Sequence, residues 1–150
     1  MLTEEPKEKL KAILSKEALS ISLPGDPKTK LRPRFARNKR RVRTFDPQSD
    51  DKETTRWQIK SRVGAMEPLK GPLGLSVICV FSTPKSKNKE DFHIVKPDLD
   101  NLIKWVGDVG NGILWYDDKQ IIKINALKIY GEEPKTIITV SKVFDWNYNN

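Results

Sequence analysis

The chain has 150 residues but only one cysteine and one histidine. The lone Cys79 excludes an internal disulfide, and with His93 as the single imidazole no Cys/His zinc site can be assembled. Cys79 lies in an apolar, strand-like run and reads as a buried, inert thiol. His93 sits in a polar segment without an orienting partner, so it reads as a solvated or phosphate-facing loop residue. No apolar run approaches a membrane span. The N-terminus carries acids and lacks the apolar stretch of a secretory leader, which leaves the cytoplasm as the expected compartment. A glycine-rich phosphate loop and a Ser/His/Asp order are also missing.

One stretch lacks acids altogether. From Lys28 to Arg43 run nine basic residues: Lys28, Lys30, Arg32, Arg34, Arg37, Lys39, Arg40, Arg41 and Arg43. They carry more than the whole net charge of +8, so that the rest of the chain is near neutral, and they account for the pI near 9.6. Such a charge favours a polyanionic partner; a membrane surface is the competing reading. A basic run is often only a solvated loop. Here Pro33 and Phe35 suggest a shaped loop, and phosphate contact is the better expectation.

At this length the chain is most simply one domain with a real core. Residues 1–17 read as a helical extension with a narrow stripe of Leu10, Ile13 and Leu14, and residues 18–150 as the working domain. Alternation of Ile21 and Leu23 with serines predicts a first strand. Asp46-Pro47 predicts a helix start, with Asp46 as cap, running to Val63 before Gly64. Leu73 to Phe81 is apolar on both faces, as a central strand is. The polar, mostly basic residues 84–96 read as a loop. Gln120 to Ile129 predicts a strand with a bulge near Ala126. Thr136 to Phe144 predicts its antiparallel hairpin partner. The expected class is α/β (mixed α+β): one mixed sheet, helices packed on it, and a C-terminal β-hairpin.

The chemistry concentrates between Lys96 and Gln120. Pro97 cannot lie inside a helix but fits just before one, and Asp98 suits the N-cap. Leu99, Leu102, Ile103, Val106 and Val109 then fall on one helical face. Asp100, Lys104 and Asp108 form a polar ridge at four-residue spacing. Gly110-Asn111-Gly112 stops the helix, and Ile113-Leu-Trp-Tyr116 leads to Asp117-Asp118. Singly, these acids could be a cap, a surface pair and a turn. Together they crowd negative charge into one region, which favours a cation between them. An oxygen-only cluster of this kind suits a hard divalent ion.

Lys96-Pro-Asp-Leu-Asp-Asn-Leu-Ile-Lys104, Asp108, Asn111-Gly112 and Asp117-Asp-Lys-Gln-Ile121 together resemble the RusA family of Holliday junction resolvases, crossover-junction endodeoxyribonucleases of bacteria and phages. The resemblance is strongest over residues 96–124. Gly25-x-Pro27-x-x-Lys30-x-Arg32-Pro33-Arg34 is similar to a segment of phage members, which would put the basic stretch near the site. The resemblance implies an α/β homodimer that incises opposing strands of branched DNA in recombination and repair. It implies that Asp98, Asp100 and Asp118 are essential carboxylates binding Mg²⁺, with Mn²⁺ as a substitute. Asp117 becomes a fourth ligand or a supporting group. Lys104 becomes the essential lysine that neutralises a phosphate or a carboxylate. Asp108 would orient Lys104. Two other readings stay open: a nuclease of flaps, forks or RNA, and a non-catalytic DNA-binding module. Intact Asp98, Asp100, Lys104 and Asp118 speak against the last.

Overall fold

The computed structural model describes residues 18–143 apart from Pro33, Lys39, Arg40 and Lys89; for 34–38 and 41–43 it describes the backbone path alone. The expected helix over residues 3–17 and the polar end 145–150 lie outside the described residues.

The strands are β1 (Ala18–Pro24), β2 (Arg34–Asn38), β3 (Arg41–Phe45), β4 (Leu73–Ser82), β5 (Ile121–Gly131) and β6 (Lys135–Lys142). The helices are α1 (Ser49–Val63) and α2 (Leu99–Gly110), and a 3₁₀ turn spans Asp118–Gln120. Four strands form one mixed sheet in the order β1-β6-β4-β5. β6 runs antiparallel to both β1 and β4, and β5 runs parallel to β4. A parallel neighbour needs a crossover. Here the crossover is the segment that contains α2, so the acidic region is the connection between the two strands.

Rows of side chains across the sheet show why this register wins. Ile21, Ile138, Val77 and Ala126 are direct partners along one row. Leu19, Val140, Leu75 and Ile124 form the next. Slipping β1 by one residue would turn Leu19, Ile21 and Leu23 outward and its serines inward. On this face lie Leu102, Trp105, Val106 and Val109 of α2 and Ile59 of α1, all buried. Trp105 is in the core and Ile103 is only half-buried, so the apolar stripe of α2 is rotated slightly from the one the spacing suggested. Cys79 is buried in the same core, and burial pushes its thiol up to about 11.

Four expectations are corrected. The two C-terminal strands form, but they are not a hairpin: β4 lies between them. β4 is apolar on both faces and needs a partner on each edge, so the chain steps over its end. Gly131 permits the step, since a β-carbon there would lie 2.6 Å from Val80 Cγ1. The β5 bulge is not at Ala126. The register shifts opposite Leu73 and Gly74, leaving Ile122 as the extra residue. From there Ile124 and Ala126 face the helices while Leu127 and Ile129 occupy the other side, so apolar residues on both faces had mimicked a phase shift. α1 begins at Ser49 with Gln48 at its N-cap. Asp46 instead accepts the Gln48 N–H at 2.9 Å and binds Lys52. The basic stretch contains the antiparallel ladder β2–β3 rather than only a loop.

A fifth correction concerns His93. It is 7% exposed, stacked on Phe81 at 4.2 Å between ring centres and tilted against Tyr130 at 4.8 Å. Phe81 and Tyr130 are register partners near the ends of β4 and β5, and the loop folds His93 over them. Burial holds the imidazole below its ordinary value. The unfolded chain therefore binds the proton more readily. The stability this gives is present above the ordinary histidine range and is lost as pH falls through it. Melting temperatures between pH 7.5 and 5 should fall more steeply for the wild type than for His93→Phe, which keeps the stack but cannot titrate. Parallel curves would show that His93 carries no such linkage.

Candidate active site

Asp98 is the N-cap residue of α2 by position, with φ −71° and ψ 141°, yet its carboxylate makes no capping hydrogen bond. It is left available on the surface beside Asp100, in the first turn. Lys104 lies one turn on, its Nζ 3.5 Å from Asp100 Oδ2, with both side chains more than half exposed. An exposed pair of this type contributes only about 0.3–0.5 kcal/mol, so it is not there chiefly for stability.

The chain then brings a third carboxylate back to the same helix. At the end of α2 the Leu114 N–H donates to Gly110 O, and the Gly112 N–H to Trp115 O. The Trp115 ring packs so closely under the helix end that a β-carbon on Gly110 would lie 2.6 Å from it. Arg56 of α1 donates to the Val109 and Asn111 carbonyls and closes that end. From the buried Trp115 the strand of chain returns along α2. Asp118 Oδ2 lies 4.0 Å from where a β-carbon on Gly107 would be. Residues 100, 104 and 107 form one stripe of a helix. Asp100, Lys104 and the Asp118 carboxylate thus share one side of α2.

Asp117 does a different job. It caps the 3₁₀ turn, its Oδ1 accepting the Lys119 N–H at 3.0 Å. That hydrogen bond holds its carboxyl below the usual carboxylate range. Gln120 completes the turn. Its Oε1 accepts the N–H groups of Tyr116 and Asp117, both at 2.9 Å, while its Nε2 donates to the carbonyls of Leu69 and Gly71. Gln120 was part of the sequence pattern, but the pattern gave it no role: it ties the acidic turn to the 69–71 segment.

Asp108 does not meet Lys104. Its carboxylate binds Lys30 at 3.0 Å and Lys52 at 3.4 Å. The Lys30 N–H donates to Asn101 O on α2, and Lys28 pairs with Asp51 on α1. Gln48, which sequence reasoning missed, clamps the same segment: its Oε1 accepts the Leu31 N–H at 2.7 Å and its Nε2 donates to Thr29 O. These contacts seat residues 28–31 against α2, beside Asp100. Arg32 follows, exposed. Arg34, Arg37, Arg41 and Arg43 belong to β2 and β3, while Lys39 and Arg40 lie outside the described residues.

The donors around α2 are all oxygens, the right chemistry for a hard cation. Among the described residues no three His, Cys, Asp or Glu side chains close into a ligand group by themselves. Mg²⁺ commonly takes only one or two carboxylates and completes its shell with waters and substrate phosphate. The donor set fits that mode rather than a closed protein cage. No described helix is long and apolar enough to cross a membrane.

Comparison with known proteins gives the family. The chain is 26% identical over 140 residues to an uncharacterized protein, YqaN, of Bacillus subtilis strain 168, covering 85% of this chain and 98% of that one. It is 28% identical over 100 residues to the crossover junction endodeoxyribonuclease of Lactococcus phage r1t, covering 63% of this chain and 76% of the phage protein. Residues 24–141 match the family described as Endodeoxyribonuclease RusA, a span that holds every acidic and basic group discussed above. The chain is an endodeoxyribonuclease of the RusA family.

Proposed function

We propose that this chain resolves four-way DNA junctions as a homodimer, one active centre per subunit, by Mg²⁺-dependent incision of two opposing strands. The observation that supports the reading is that Asp100, Lys104 and Asp118 lie along one side of α2, whose N-cap Asp98 makes no capping hydrogen bond. Asp98, Asp100 and Asp118 would hold the ion; Mn²⁺ would substitute. Bound there, the ion supplies charge relief at the scissile phosphate and lowers the pKa of a coordinated water. Lys104 offsets carboxylate charge in the free protein and offers its ammonium to the phosphate when DNA enters. Asp117 and Gln120 support Asp118 by fixing the turn. The basic segment, seated on α2, meets the phosphates of the junction arms. Recombination and repair are where such a substrate arises.

Cleavage of matched substrates tests the reading: a four-way junction, a flap, a fork, a linear duplex and an RNA duplex, with and without Mg²⁺. Symmetric paired nicks in the junction, and slow cleavage of the rest, are expected. Faster cleavage of flaps or RNA would replace the junction as substrate. Dimerisation is checked separately. A two-strand reaction at a two-fold junction calls for two symmetric centres. Sedimentation at micromolar concentration should give twice the 17.2 kDa chain mass. A monomer with full junction cleavage would reject the dimer.

A further inference from the structure

The row Leu23, Thr136, Cys79, Lys128 crosses the sheet on its helix-facing side. Its first three members are buried and Lys128 is half-buried. A lysine on the core side of a strand is uncommon unless its ammonium is satisfied. The Nζ of Lys128 donates to Val95 O at 2.8 Å and to Pro97 O at 2.9 Å. Both carbonyls belong to the last residues before Asp98. Among the described residues no carboxylate pairs with this ammonium; two of its three N–H donors are given to backbone.

The same segment has few other ties. Phe92 and Ile94 are 83% and 81% exposed, and Val95 is 50% exposed. His93 anchors the segment upstream, five residues before Asp98, through the Phe81 and Tyr130 rings. Between that plug and the first turn of α2, the Lys128 ammonium holds the backbone that enters the site. A half-exposed connection without such a tie would sample several paths, and Asp98 would move with it.

We infer that Lys128 is a positioning residue of the active centre: by holding the Val95 and Pro97 carbonyls it sets the place of Asp98 relative to Asp100 and Asp118. The role of Asp98 rests on the functional reading above; the mechanical tie does not. Supporting groups behind a metal ligand typically change affinity or rate by about ten- to a hundredfold when removed.

Lys128→Met keeps the aliphatic stem and deletes the donors; Lys128→Arg keeps donors of similar reach. Three measurements decide. Amide hydrogen exchange at residues 95, 96, 98 and 99 should quicken in Lys128→Met and stay near wild type in Lys128→Arg; unchanged exchange in a folded Lys128→Met overturns the tie. Mn²⁺ binding to the DNA-free protein, read by electron paramagnetic resonance, should weaken about tenfold or more in Lys128→Met. Junction cleavage should slow by a similar factor, while junction binding in EDTA stays within about twofold. Binding in EDTA that falls as far as cleavage would make Lys128 a phosphate contact and overturn the inference. If the wild type cleaves no branched DNA, the functional reading fails, and the exchange result still decides whether Lys128 holds the segment.

Discussion

Asp100→Asn should fold, bind four-way junctions in EDTA at least as tightly as the wild type, and cleave them in Mg²⁺ at least about a hundredfold more slowly, the scale on which a single charge-stabilising group at a reacting centre acts. The argument starts from size. Asn and Asp have nearly the same shape, so the side chain still fits the first turn of α2. The pair lost to Lys104, at 3.5 Å and more than half exposed on both sides, is worth no more than about 0.5 kcal/mol. The melting temperature should therefore barely move. The electrostatic change at the phosphate is larger. Two unit charges about 4 Å apart interact by about 1 kcal/mol in water and by about 4 at an effective dielectric of 20. Removing one carboxylate relieves that repulsion when no metal is present, which favours binding in EDTA. It also deletes an oxygen ligand of a hard ion, which disfavours cleavage. The opposite signs of the two effects distinguish a metal ligand from a helix-stabilising residue. A purely structural Asp100 predicts a small stability loss and near-normal cleavage. Gel shift in EDTA and cleavage in Mg²⁺ on one junction preparation settle which holds.

The centre was legible because its signals are local. A proline, a cap-type residue and a 3.6-residue apolar period placed α2, and four-residue spacing placed Asp100 and Lys104 on one ridge. The return of Asp118 to that ridge was legible only as a resemblance. Its physical cause, Trp115 packing on Gly110 so that the chain doubles back, is a tertiary contact with no periodic signature. Asp108 shows the limit of spacing arguments. It sits one turn beyond Lys104, yet two lysines from other elements, Lys30 and Lys52, take its carboxylate. Strand pairing failed for a related reason. Proximity in sequence favours a β5–β6 hairpin, but β4, apolar on both faces, takes both strands as neighbours. His93 looked solvated because its own segment is polar. The aromatic pair that buries it, Phe81 and Tyr130, comes from two distant strands. Gln48 escaped notice, and Gln120 was seen only as part of the pattern without a role, because a glutamine carries no pattern of its own; each satisfies the backbone of a remote segment.

The basic segment carries the second large expectation: Arg32, Arg34 and Arg37 changed together to Ala weaken junction binding and flatten its salt dependence. The structure helps to choose these three. Lys28 and Lys30 are paired with Asp51 and Asp108, so their loss would unseat the segment as well as remove charge. Arg32 follows directly after the Gln48 clamp, and Arg34 and Arg37 stand in β2, whose ladder with β3 gives the region a defined backbone. Residues 28–31, just before them, are pinned to α2 at Asn101. Each phosphate contact releases counterions and contributes about 0.9 to the log–log salt slope on duplex arms, so three lost contacts reduce it by about 2.7. Affinity at low salt falls most, and the gap between variant and wild type narrows as salt rises. Cleavage at saturating DNA should change little, because none of the three belongs to the carboxylate centre. A variant that keeps the wild-type slope would exclude these arginines as phosphate contacts. One that keeps the slope but loses turnover would instead move them into the reacting centre. Titrations of a labelled junction in EDTA from about 50 to 200 mM salt, the range over which several contacts change affinity by orders of magnitude, make the comparison.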